Sequence, residues 1–581
     1  MIREQLAELH SKRIGPAERP GEGSLAEARN LCARVLDSYW RTLQGPDGPR
    51  WRLRRLPDGI SLMDGGRNGL CESLGRKLAS LPPIEAGYEL GTTYANLIPQ
   101  EMRAKYGVFY TPPQIAGRLL DLVEEQGVDW SRATVLDPAC GGGAFVSAVA
   151  ERVRGHLTGR MTPSERIEQV GLRVRGYEID PFSAWMSQVF AEAVMLPDCR
   201  AASTRLPRLV NVCDSLSPEH PAGAFDLVIG NPPYGKTRLG ERDRLRFAQG
   251  VFGHANLYGL FTDQAVRWTK PGGMIAFVTP TSMLSGEYFK KLRGLLVQSA
   301  PPSRIEVLHA RKGVFDGVLQ ETMLAVYSRS AKARPVRVSS LGFSAAGGDL
   351  VSTRAGDCEL PFDPTAAWLL PRDAEDAPIV RAAAAKRMRL RDYGYRVKTG
   401  PLVWNRHKTQ LRDELEPGAL PLIWAECVQR DGLFEFRALK RNHSPWFQPE
   451  ARQEWLVLNE PCVLVQRTTA KEQNRRLVAA VLPASFVRKS RGVVVENHLN
   501  MVLPEASNAS AGLGAVAAVL NSGIADRLFR CLSGSVAVSA FELGSLPMPD
   551  PHEMAEIDKV ISHGGGQPEI ERILCKCYGE S

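Results

Sequence analysis

The stretch Thr134-Val-Leu-Asp-Pro-Ala-Cys-Gly-Gly-Gly-Ala-Phe145 decides the fold. Its first residues are β-branched and apolar, as in a buried strand. Three glycines then permit a tight turn, and Val146-Ser-Ala-Val-Ala-Glu-Arg-Val153 continues as a helix. A glycine turn from strand into helix lets the backbone approach a ligand closely and turns helix amides toward it. Taken alone, the stretch fits any nucleotide-binding α/β turn, and equally a tight turn that binds nothing.

Outward from it the same rhythm repeats. Strand-like runs end at Glu178 in Arg173-Val-Arg-Gly-Tyr-Glu-Ile-Asp180 and at Asp214 in Arg208-Leu-Val-Asn-Val-Cys-Asp214, with the helical stretch from Phe182 to Val194 between them. Phe225-Asp-Leu-Val-Ile-Gly230 and Met274-Ile-Ala-Phe-Val-Thr-Pro280 continue the series. The alternation predicts a buried parallel sheet with helices on both faces, a doubly wound α/β domain over residues 88–335. Residues 1–87 read as a small helical region, for which Leu25 to Leu43 gives the pattern. Prolines and glycines break the rhythm after residue 335, so residues 336–385 are expected to be a linker and residues 386–581 a second, α+β domain.

Size and charge set the frame for these elements. A chain of 581 residues exceeds one compact core, and 44% hydrophobic with 24% charged residues is a globular composition. The net charge of +9 suits a polyanionic partner without requiring one. The charged opening Met1 to Pro16 has no apolar core of the kind an export signal carries, and Gly512 to Leu520 is too short to span a bilayer, so a cytoplasmic protein without a membrane is expected. Eleven cysteines without CxxC pairs read as reduced thiols, and the ten histidines form no HExxH, so no metal is expected.

Three further strand ends have the chemistry of a site. A carboxylate such as Glu178 can accept both hydroxyls of a ribose, or be an ordinary strand-end acid; Asp214 could accept from an adenine amino group. The sharpest signal is Asn231-Pro232-Pro233-Tyr234. Two prolines fix the backbone, so the Asn231 side-chain oxygen and the Pro232 carbonyl can converge on one planar amino group without an ordering cost on binding. Such a pair would hold both amino hydrogens and free the nitrogen lone pair for attack, with Tyr234 stacked on the base; the bland reading is a Pro-Pro turn.

In this order the motifs resemble the amino-methyltransferases of restriction-modification systems, in the gamma arrangement that places cofactor motifs before catalysis and a recognition domain last. The resemblance covers residues 88–335 motif by motif. It implies a Rossmann-like S-adenosylmethionine-dependent methyltransferase fold acting on adenine N6 in duplex DNA. Gly107-Val-Phe-Tyr-Thr-Pro-Pro113 matches the cofactor-side loop, with Thr111 on the methionine carboxylate; Asp137 lies near the ammonium, with Ala139 and Gly141 in the same turn. Glu178, Ile179 and Asp214 match ribose and adenine contacts, and Phe261 in Asn256-Leu-Tyr-Gly-Leu-Phe261 the adenine ring. Gly313-Val-Phe-Asp-Gly317 resembles the late motif that sets Phe315 against a flipped base.

Beyond the catalytic region, residues 386–412 hold nine Lys or Arg and one acid, with Tyr393, Tyr395 and Trp404 interleaved. That composition suits phosphate, and Arg396, Lys398, Arg406 and Lys408 are the candidate contacts; a solvated surface is the alternative. Gln466-Arg467-Thr468-Thr469-Ala-Lys471 adds Arg467 and Lys471 as candidate DNA contacts. The segment from Phe541 to Pro551 reads as packing. The partner expected is double-stranded DNA, bound by a monomer. Before residue 110 no acid stands two positions ahead of a lysine, so any restriction endonuclease is expected as a separate protein. Three rivals remain: methylation of RNA adenine, methylation of a protein glutamine amide, and an inactive DNA-binding module.

Overall fold

The computed structural model describes residues 22–45, 51–60, 62, 69–99, 101–103, 110–217, 219–308, 321–344, 349–469, 473–505, 509–534 and 537–580. The chain divides into two compact units. The first comprises residues 1–280, 294–334 and 341–352, and the second residues 281–293, 335–340 and 353–581.

In the first unit, β1 (Val135–Asp137), β2 (Val174–Glu178), β3 (Val210–Val212) and β4 (Phe225–Gly230) lie parallel in the order β4-β1-β2-β3. A small hairpin, β5 (Lys236–Thr237) with β6 (Ala255–Asn256), follows, and β7 (Thr269–Pro280) joins β4 in parallel. The sheet is nevertheless mixed, contrary to the all-parallel expectation. Beyond β7 come β8 (Pro302–Leu308) and β9 (Thr322–Ser328), and β9 pairs antiparallel with both β7 and β8.

Helices cover both faces of this α/β sheet, and Pro181–Ala202 is buried nearly all round. The reason is a second layer: Glu22–Gln44, Gly69–Leu78 and Pro83–Leu97 pack Leu36, Tyr39, Leu74, Leu90 and Tyr94 against Phe182, Trp185, Val189 and Phe190. A helix apolar on every side requires such cover.

Residues 336–385, expected as a linker, carry β10 (Val336–Phe343), β11 (Leu350–Cys358) and the helix Asp376–Ala385. Pro361, Pro364 and Pro371 fall between β11 and that helix, whereas Gly342 and Gly356 lie inside the two strands. Within the second unit, β12 (Tyr395–Thr399) pairs antiparallel with a strand at Leu499–Pro504, which pairs antiparallel with Cys462–Gln466, and that with Ala479–Leu482. Five shorter strands form another sheet, and helices between Leu513 and Cys577 complete an α+β unit. Leu543, Leu546 and Met548, of the segment read as packing, are buried in its core. Arg293, itself buried, ties residues 281–293 into this unit by donating to the carbonyls of Met283, Gly286, Thr365 and Ala366.

Candidate active site

The chain lays down β1, β2 and β3 in one direction and then returns to place β4 on the other side of β1. Such a switch opens a crevice at the carboxyl ends of the parallel strands. Asp137 ends β1, Glu178 ends β2, and Asn231 directly follows β4, so three sequence-predicted residues sit at adjacent strand ends.

The glycine turn packs without slack. A Cβ on Gly142 would lie 2.3 Å from the Tyr110 ring, and one on Gly143, at φ +93°, would lie 2.7 Å from the Ser187 hydroxyl. Gly141, at φ +50°, instead faces open space, and its amide donates to Glu178 Oε2 at 2.8 Å. The other carboxylate oxygen of Glu178 accepts the Asp180 amide at 2.9 Å. Asp137 accepts the Ala139 amide at 3.2 Å, and a side chain at Gly230 would strike it.

Both acids are hidden from solvent. Burial pushes the Asp137 carboxyl up to about 8, with the nearby Glu178 charge adding to the effect. It pushes Glu178 up to about 7, against the lowering effect of the backbone amides of Asp180, Gly141 and Ile179. Buried carboxylates that no cation bonds among the described residues suit a ligand that brings positive charge and hydroxyl donors.

Around them, Ile179 is 51% exposed, an apolar side chain left open beside Glu178. Asp214 is exposed, with one oxygen accepting the Leu216 amide in a turn. Phe261 is buried on the helix Leu257–Trp268.

Asn231 has a divided side chain. Its Nδ2 donates to Thr111 Oγ1 at 3.1 Å, while its Oδ1 is buried and accepts nothing within the protein. Tyr234 is fixed by its hydroxyl, which donates to the Val278 carbonyl at 3.3 Å, and by edge contact with Tyr258 at 5.8 Å between centroids. Gly107 to Phe109, Gly313 to Gly317 with Phe315, and Lys471 lie outside the described residues.

In the second unit, Arg396, Lys398, Arg406 and Lys408 are all exposed. Other parts of the basic stretch are spent internally. Lys386 bonds Asp550 and Glu553, Arg412 bonds Glu416, and the buried Tyr393 and Tyr395 donate to the carbonyls of Pro549 and Ala511. The Gln466 amide, expected to read bases, donates to the carbonyls of Ala425 and Val428, and Thr469 is buried against Arg476. A strand-end amide inside a sheet meets backbone carbonyls before it meets solvent. Arg467 is half-buried, with Nη1 on the Asn497 carbonyl and Nε buried without a partner.

Sequence reasoning missed two features. Tyr110 fills the space left by Gly91 and Gly142, which accounts for the second glycine of the turn. Asp180 is fully buried and bonded by Arg29 from the first described helix, a pairing across 151 positions that no local motif announces.

Residues 188–315, which include Asp214, Asn231 to Tyr234 and Phe261, match the family described as Eco57I restriction-modification methylase. The chain is 26% identical over 361 residues to the Type II methyltransferase M.PstI of Providencia stuartii, covering 60% of this chain and 70% of that one. It is 25% identical over 501 residues to the Type II methyltransferase M.BsuBI of Bacillus subtilis, covering 81% and 94%. The structure of the Type IIL restriction-modification enzyme MmeI in complex with DNA shares its fold, with a TM-score of 0.52, 14% identity, and coverage of 100% and 96%. The chain is thus a relative of restriction-modification methyltransferases, and its first unit has their Rossmann-like α/β fold.

Proposed function

We propose that the protein is a DNA methyltransferase that transfers a methyl group from S-adenosylmethionine to the exocyclic N6 of an adenine flipped out of duplex DNA. The observation that carries this reading is the buried, unpartnered Oδ1 of Asn231 beside a Pro-Pro backbone. A buried acceptor without a donor costs about 1 to 3 kcal/mol, which a bound amino group would offset.

The residues at the crevice fit the cofactor. Asp137, Ala139 and Gly141 would hold its methionine part with Thr111, Glu178 its ribose, and Ile179, Asp214 and Phe261 its adenine. Bound there, S-adenosylmethionine supplies an electrophilic methyl on a sulfonium, already a good leaving group. The protein's own work is positioning. Asn231 Oδ1 and the Pro232 carbonyl would accept the two amino hydrogens, Pro233 would hold the loop, and stacking of the extruded base on Tyr234 and Phe315 would offset the few kcal/mol that extrusion costs.

Arg396, Lys398, Arg406 and Lys408, joined by Arg467 and Lys471, are the proposed phosphate and base contacts of a monomer acting in the cytoplasm. The corresponding domains are residues 88–335 for catalysis and 386–581 for recognition, after an N-terminal helical region. Mapping modified bases in DNA from a methylation-deficient host that expresses the chain tests the reading. N6-methyladenine within one short sequence is expected; methylated cytosine, or DNA without modification, would refute it.

A further inference from the structure

The described N-terminal helix reaches the proposed cofactor site through one arginine. Arg29 Nη2 donates to Asp180 Oδ1 at 2.6 Å, and its Nε to the Tyr94 hydroxyl at 3.2 Å. The Tyr94 hydroxyl in turn donates to Asp180 Oδ2 at 3.4 Å. Asp180 is wholly buried and caps the helix Pro181–Ala202 by accepting from the Ser183 amide at 3.1 Å and the Ser183 hydroxyl at 2.8 Å. Its own amide is the donor that fixes Glu178 Oε1.

We infer that Arg29 is a positioning residue for Glu178, acting through Asp180, so that the N-terminal helix sets the charge state of the carboxylate that receives the cofactor ribose. The inference rests on the reading of Glu178 as that acceptor. Two carboxyls two residues apart in a buried turn repel one another when both are ionised. A guanidinium on Asp180 offsets that repulsion and so favours the ionised form of Glu178, the form that accepts two hydroxyls.

Several other titratable groups act on Glu178 or feel its charge. Asp137 comes from β1, Cys140 from the glycine turn, Cys213 from beyond β3 and Tyr110 from the segment ahead of the helix Pro113–Glu125. Burial raises both Cys140 and Tyr110 well above their ordinary values and Cys213 to about 11, so these stay neutral near pH 7. Asp137 titrates in the same range as Glu178, so the difference between variants, and not the shape of one profile, is diagnostic.

The experiment is calorimetric binding of S-adenosylmethionine to the full chain between about pH 5.5 and 9, without DNA. Wild-type affinity is expected to fall as pH drops through about 7, where Glu178 takes up its proton. Arg29→Gln keeps a donor toward Asp180 but removes the charge. It should move the midpoint up by about one pH unit, weakening binding about fivefold at pH 7 and less than twofold at pH 9. Arg29→Lys should hold the wild-type midpoint, and adding Asp180→Asn to Arg29→Gln should bring it back, because the charge that needed cancelling is gone.

A loss of affinity that is the same at every pH, or one that Asp180→Asn does not reverse, would show that Arg29 only docks a helix and would overturn the inference. Should Arg29→Gln fail to fold by circular dichroism, Asp180→Asn alone decides: its midpoint must lie below the wild-type one. Glu178→Ala separates the two readings, since wild-type affinity in that variant would refute the ribose role itself.

Discussion

Asn231 and Thr111 join through a single hydrogen bond, in which the Asn231 amide donates to the Thr111 hydroxyl across 3.1 Å and leaves the Asn231 oxygen buried and without a donor. Asn231 follows a strand of the sheet and Thr111 precedes the helix Pro113–Glu125. The bond fixes which end of the amide is left to accept a hydrogen bond. It also couples the residue proposed to hold the target base to one proposed to touch the cofactor.

Thr111→Val removes that acceptor while keeping the side chain's shape. The Asn231 amide could then rotate, and single-turnover methyl transfer on saturating DNA and cofactor is expected to fall about tenfold, the value of one lost orienting hydrogen bond. Thr111→Ser, which restores the hydroxyl, should recover most of the rate. Equal rates in Thr111→Val and wild type would show that the bond does not orient Asn231.

The buried acids make the cofactor-free protein sensitive to pH. Burial raises Asp137 to about 8 and Glu178 to about 7, above their unfolded values near 4. Between about pH 4 and 8 the folded state therefore holds more protons than the unfolded state, and these two groups reduce stability as pH rises. Asp137→Asn should raise the Tm of the cofactor-free protein at pH 8.5 by at least about 2 °C, have little effect at pH 5, and weaken cofactor binding. A lower Tm at pH 8.5 in this variant would mean that Asp137 is held as a stabilised anion.

Arg396, Lys398, Arg406 and Lys408 are all exposed, so neutralising the four together should leave the fold intact. Duplex binding should weaken at every sequence, and the slope of log affinity against log salt should flatten by roughly 3 to 4 units. Single-turnover transfer on saturating DNA should change much less, because phosphate contacts position the duplex. Wild-type salt dependence in the quadruple variant would reduce this stretch to a solvated surface.

The parts legible in the sequence were those governed by local chemistry. Strand ends at Asp137, Glu178 and Asn231 follow from apolar runs broken by turn residues, and parallel pairing then brings them together. The antiparallel entry of β9 was not legible, because an apolar run has the same pattern in either direction. Nor was the fate of the polar side chains in the second unit: Gln466, Tyr393 and Tyr395 have the composition of a nucleic-acid surface, yet sheet pairing and helix packing turn them toward carbonyls. The Arg29 to Asp180 pair depends on three helices packing over Pro181–Ala202, which is a tertiary fact.

The most direct test of the account is the Asn231→Ala variant, measured in a single turnover with DNA and S-adenosylmethionine both saturating, beside calorimetric binding of the cofactor. If the Asn231 oxygen holds the amino group, transfer should fall by at least about a hundredfold while cofactor affinity stays within about threefold of wild type. Transfer at a rate near that of wild type would contradict the central claim, as would a loss explained entirely by weaker cofactor binding.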